Sequence, residues 1–165
     1  MVFLDMDVVN TALPAIARDL TASNSALMWI VNMYALILAG FLLVAGSTGD
    51  RYGRKKALGA GLAIFGAGAV GAALADGTTT LIVMRGLQGL GAAFAVPSTL
   101  SIITDVFPRE ERAKAIATWT AIASLSIFVG PALGGILVDK ISWNAVFWAH
   151  IPLVAVGLYG LRVIP

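Results

Sequence analysis

Cysteine is absent from the 165 residues, which excludes disulfide frameworks, thiol nucleophiles and thiolate metal sites. Histidine occurs once, at His150, so a histidine-rich metal site is excluded as well. Charge is scarce: only 12% of residues are Asp, Glu, Lys or Arg, against roughly 25% in an ordinary soluble domain. With no soluble basic face, the net charge of +2 does not argue for nucleic acid as a partner. An intramembrane hydrolase needs a nucleophile beside a base, and Ser98, Ser101 and Ser124 have no partner in sequence except the distant His150. Nothing therefore points to an enzyme. What fills the chain is apolar, 59% hydrophobic with a mean hydropathy of +0.90. It reads as an all-α integral membrane protein.

Six apolar segments follow one another. The first, from Met1 to Ala17, is shorter than the ~20 residues a span needs and is interrupted by Asp5, Asp7 and Asn10. Acids are expensive in lipid, so these side chains are expected to face a cavity or a protein interior. The segment lacks the basic start of a signal peptide. The second span runs from Ala26 to Ala45, with Trp29 and Tyr34 suited to an interfacial belt at its entrance. Within it, Asn32 either hydrogen-bonds a neighbouring helix or lines a path for substrate. Ala57 to Ala75 form a third span rich in glycine, a composition that permits close packing. Leu81 to Ile103 form a fourth, which carries Arg85. That arginine either snorkels to the nearby interface or joins Gln88 and Gly89, at i+3 and i+4, in one polar stripe. Ala115 to Val138 form a fifth, in which Gly130 and Gly134 open a close-packing face while Pro131 interrupts the helical hydrogen bonds. Val146 to Val163 form a sixth. His150 lies near its entrance and reads as a packing or surface residue.

Between the second and third spans lies a dense charged stretch, GSTGDRYGRKKAL, from Gly46 to Leu58. Asp50 and Arg54 are four residues apart, close enough to face each other on a helical turn, and Gly49 and Gly53 allow a sharp change of direction. On charge alone this is either a topology signal or a working part. A second charged turn, DVFPREERAK, spans Asp105 to Lys114. Arg51, Arg54, Lys55, Lys56, Arg109, Arg112, Lys114 and Arg162 would share one side of the membrane, with only Arg18 and Lys140 opposite. The basic side is expected to be cytoplasmic.

Four motifs carry a resemblance. Gly46, Asp50, Arg51, Gly53, Arg54, Lys55 and Leu58 resemble the G-x-L-A-D-R-x-G-R-K-x-x-L loop between the second and third helices of the major facilitator superfamily. Thr48 and Gly49 depart from that pattern without removing a charge. LDMDVVNTALP resembles the first-helix L-D-x-T-V-V-N-V-A-L-P of the fourteen-span drug:proton antiporter branch, with Asp7 in place of Thr. LIVMRGLQGLGAA resembles the fourth-helix motif of proton-coupled facilitators. SLSIFVGPALGGIL resembles the antiporter motif G-x-x-x-G-P-x-x-G-G, through Gly130, Pro131, Gly134 and Gly135, with Ser126 replacing its first glycine. The sixth-span entry WNAVFWAHIP is similar to W-R-W-x-F-x-x-N-x-P, from which Asn144, Ala145 and His150 depart.

The resemblance implies the amino-terminal six-helix bundle of a transporter, built of two inverted three-helix repeats, 1–75 and 81–165. It implies that the first helix is cut, since such relatives carry roughly ten further apolar residues before the motif. The implied function is proton-coupled efflux of drugs or other small molecules by alternating access, at the plasma or inner membrane. A proton gradient would be the energy source, with no cofactor and no metal. Asp5, Asp7, Arg85, Gln88 and Asn32 are the expected proton and substrate residues. Gly46, Asp50, Arg51, Gly53, Arg54 and Lys55 are the expected cytoplasmic latch, pairing with an absent carboxy-terminal half. The substrate is expected to be lipophilic or cationic. The alternative is a truncated membrane protein that transports nothing and associates with a complete relative.

Overall fold

A computed structural model describes residues 1–163; the last two residues of the expected second repeat, 164–165, lie outside the described residues. Among the described residues the chain folds as helices α1 (Val2–Asp19), α2 (Asn24–Tyr52), α3 (Arg54–Ala73), α4 (Thr78–Val106), α5 (Arg109–Lys140), α6 (Asn144–Trp148) and α7 (His150–Gly160), with no strand. Helices α2, α3, α4 and α5 are each long and apolar enough to cross a membrane. At 1.5 Å per residue, the 29 residues of α2 extend about 44 Å, well beyond a hydrocarbon core of about 30 Å.

The charged stretches are therefore not loops. Helix α2 runs through Asp50 and Arg51 to Tyr52, Gly53 alone makes the turn, and α3 starts at Arg54. Gly53 has φ +103°, a conformation that costs glycine little and other residues much. The expectation that Gly49 also turns the chain is corrected: it is helical, and its missing side chain makes room for Arg54 and Ala57. Likewise the second charged turn shrinks to Phe107 and Pro108, with Glu110 and Glu111 in the first turn of α5, where acids complement the helix dipole. The sixth span is one helical run, as expected, with a local irregularity between α6 and α7 at Ala149, whose backbone stays helical at φ −62° and ψ −19°. Pro152 explains this, because it cannot donate to the carbonyl of Trp148 and its ring crowds that turn.

Helix α4 is the centre of the bundle, with α3 along one side and α2 along another, while α1 pairs with α5 and α7 closes on α3. Helices of segments 1–75 and 81–165 thus pack on one another within one bundle. Missing β-carbons set these approaches. A β-carbon on Gly61 would lie 2.7 Å from the Gly91 carbonyl of α4, and one on Gly68 would lie 2.8 Å from Gln88 Cγ. Gly59 and Gly66 leave room instead for Leu161 and Val154 of the sixth span. Each pair is seven residues apart, two helical turns, so α3 carries two notched faces.

Two apolar clusters form the interior. One gathers Val8, Val9, Ile16, Ile30, Leu81 and Phe147; the other gathers Val2, Tyr34, Leu62, Phe65, Ala92 and Val154. Tyr34, expected at the membrane interface, is fully buried, and its hydroxyl donates to the Val2 carbonyl at 3.1 Å. One end of the bundle is tied by side chains: Trp143 Nε1 donates to Asp19 at 2.7 Å and Asn144 Nδ2 to the Ala73 carbonyl at 2.9 Å.

Candidate functional site: a buried ion pair between the two apolar clusters

Asp5 follows Val2 and precedes Val8 on α1, so it lies where the two apolar clusters meet. Its side chain is completely buried. Arg85 of α4, 1% exposed, donates from Nη1 to Asp5 Oδ2 at 2.6 Å and to Gln88 Oε1 at 2.9 Å. Its Nε donates to the Ile30 carbonyl of α2 at 3.2 Å. Gln88 Nε2 completes the ring by donating to Asp5 Oδ1 at 3.3 Å. Arg85 also lies 4.5 Å from the centroid of the Tyr34 ring, a cation–π distance. α2 comes close enough for these contacts because Gly89 packs directly against the Tyr34 backbone. Arg85 is therefore no snorkelling residue. Ion pair, amide and ring satisfy one another, which is the condition for keeping charge inside a membrane protein.

Sequence reasoning missed two members of this site. From sequence Tyr34 suits an interface and His150 reads as a packing or surface residue, whereas the structure encloses both beside the ion pair. His150 is fully buried, with Nε2 3.4 Å from Asp5 Oδ1 and its ring 5.6 Å from that of Phe65. Its singularity in the chain and its departure from the sixth-span pattern are the signals that mark it.

The other predicted residues lie elsewhere. Asp7 is two positions from Asp5 on α1, roughly 200° around the helix, and is partly buried where Gly130 of α5 leaves room for its β-carbon. Gly134 packs in the same way on Thr11 and Val8, whereas nothing lies near a β-carbon on Gly135. Pro131 sits within an unbroken α5. Asn32 is exposed on α2 in a shallow groove with Leu13, Leu27 and Met28, apart from the ion pair. At the α2–α3 turn Asp50 and Arg54 form an ion pair, their side chains 62% and 25% exposed, and Arg54 Nη1 donates to the Gly46 carbonyl at 3.4 Å. The Arg51 guanidinium lies 5.5 Å from the Tyr52 ring centroid, and Lys55 is exposed at the start of α3. A cleft of about 270 Å³ opens between α1, α3, α4, α5 and α7, walled by Val2, Leu62, Ala95, Trp119, Ile122 and Leu153.

A family model described as Major Facilitator Superfamily matches residues 1–165. The chain belongs to the major facilitator superfamily. Relatives within it include the multidrug resistance protein Stp of Mycobacterium tuberculosis, 39% identical over 96% of this chain and 30% of that protein. The tetracenomycin C resistance and export protein of Streptomyces glaucescens is 38% identical over 98% of this chain and 29% of that protein. The methyl viologen resistance protein SmvA of Salmonella typhimurium is 38% identical over 94% and 32%. The chain spans about 30% of the length of these relatives. Its fold is that of the inward-open xylose transporter XylE from E. coli, with a TM-score of 0.80 over 99% of this chain and 45% of that one, at 16% identity. A peptide transporter also matches, with a TM-score of 0.76 at 20% identity. The architecture is thus the amino-terminal half of a major facilitator fold, that of a transporter family rather than an enzyme.

Proposed function

We propose that this chain is the amino-terminal bundle of a proton-driven exporter of drugs or other small molecules, of the fourteen-span antiporter branch, working by alternating access in the plasma or inner membrane. The observation that carries the reading is the buried Asp5–Arg85 pair. A carboxylate in the middle of a helical bundle is a place where a proton changes the local charge by a full unit in a medium that screens it weakly. As an ion pair Asp5 and Arg85 carry no net charge between them; a proton on Asp5 would leave the Arg85 charge without its partner. That imbalance changes which arrangement of helices is favoured, and substrate binding competes with the proton through that change of arrangement. The names of the relatives, which speak of multidrug resistance, tetracenomycin C export and methyl viologen resistance, support export of lipophilic or cationic compounds. So does the apolar wall of the cleft beside Trp119. Alternating access needs a second bundle rocking against this one, and Asp50, Arg51, Arg54 and Lys55 at the α2–α3 turn would meet it as a cytoplasmic latch. No cofactor enters this scheme; the proton gradient drives it.

The test is Asp5→Asn in the full-length transporter, reconstituted in vesicles with an imposed proton gradient and followed by dye efflux. Export is expected to fall to the level of empty vesicles, while Asp7→Thr, which restores the residue of the antiporter pattern, keeps it. Export at the parent rate by Asp5→Asn would defeat the proposal.

A further inference from the structure

Asp5 has three side-chain neighbours, and the ion-pair scheme uses only two of them. Arg85 occupies Oδ2 and Gln88 donates to Oδ1. The third is His150, enclosed completely, with Nε2 3.4 Å from Oδ1. Neither of its ring nitrogens makes a full hydrogen bond, the Val146 backbone offering only a weak one, although a neutral imidazole always presents one N–H and one bare lone pair. A buried polar group without full partners is costly, so a ring nitrogen facing a carboxylate at this distance has unspent hydrogen-bonding capacity directed at Asp5. In the sixth-span pattern this position holds Asn, a side chain of similar reach that cannot take a proton.

The charged and titratable groups around the ring are few. α1 presents Asp5, and α4 presents Arg85. α2 contributes Tyr34, beneath Arg85. α3 contributes the apolar Phe65. With Asp5 and Arg85 cancelling, the ring faces one carboxylate that already has a cation on its far oxygen.

We propose that His150 is a second protonatable group of this site, so that a proton entering the bundle is held on the imidazole against Asp5 Oδ1 while the Asp5–Arg85 pair stays intact. In this step an O–H bond of a hydronium ion breaks, an N–H bond forms at the bare ring nitrogen, and a water molecule is released. The resulting imidazolium donates from Nε2 to Asp5 Oδ1. The inference rests on the reading of Asp5 as the coupling acid. It adds that the proton has a holding place next to that acid.

The experiment labels histidine with ¹⁵N in the full-length protein, purified without a histidine tag, and identifies the His150 ring signals by their loss in His150→Asn. As the pH is lowered from ~8.5 through and below the ordinary histidine range, the ring is expected to pass from the neutral to the imidazolium pattern. Its midpoint in the protein and in Asp5→Asn should differ by about one unit or more. A ring that stays neutral throughout, or one that titrates identically without Asp5, overturns the inference. Export then separates the two levels. If Asp5→Asn loses export and His150→Asn exports with an altered pH profile, both stand; if His150→Asn keeps the parent's profile, the His150 inference alone falls. Parent-level export by Asp5→Asn overturns the underlying proposal instead.

Discussion

Arg85 makes its bonds to Asp5, Gln88 and the Ile30 carbonyl from one planar group, and this many-sided hold sets the consequence of removing it. Arg85→Met leaves Asp5 as an uncompensated buried charge and is expected to lower stability by about 3–5 kcal/mol. Removing both charges, in Asp5→Asn with Arg85→Met, is expected to recover most of that loss, as read from thermal unfolding in detergent. A double variant no more stable than the single would show that the pair is not the coupled unit described. Asp5, Arg85 and Gln88 were legible in the sequence because polar side chains are rare in apolar spans and each needs a partner. Tyr34 and His150 were not. An aromatic or imidazole ring near a helix entrance reads the same whether it lies at the lipid surface or turns inward, and only the approach of α2 to α4 at Gly89 decides the matter for Tyr34.

Among the helices, α1 and α5 show how small residues set a distance. A β-carbon on Gly134 would meet Thr11 Oγ1 and stand 3.0 Å from the Val8 carbonyl, whereas one on Gly135 meets nothing within 4 Å. Gly134→Ala is therefore expected to cost about 1–3 kcal/mol through overpacking, and Gly135→Ala to be nearly neutral, with thermal unfolding again the measurement. Equal effects would contradict the assigned face. The antiporter-like motif thus held two different kinds of glycine that spacing alone did not separate. Span order and approximate bounds were legible from hydropathy, but the ends were not. Charge marks where the chain leaves lipid rather than where a helix stops, so the stretch around Asp50 was expected as a loop when only Gly53 turns. The Asp50–Arg54 pair is solvent-facing, and exposed pairs contribute about 0.2–1 kcal/mol. Its weight in the molecule is where it places charge, more than how firmly it holds α2 to α3.

Taken whole, the molecule wears its apolar side chains outward. Leu43 is 85% exposed on α2 and Phe128 76% on α5, as suits faces that meet lipid or a second bundle. The predicted orientation is checked by single introduced thiols, since no cysteine interferes. Ser25→Cys, which spares the Ser23 cap on the Ala26 amide, should label from outside and Lys56→Cys only from inside. Labelling of both from one side would end the six-span reading. The two notched faces of α3 also bear on how the bundle is made. One notched face waits for α4 and the other for the sixth span, while α1 waits for α5. As the ribosome releases the chain from its amino end, the first three helices enter the membrane before the helices they pack against exist. This bundle can close only once its sixth span has been synthesised, and until then the α3 face that receives Val154 and Leu161 is open to whatever else the membrane offers.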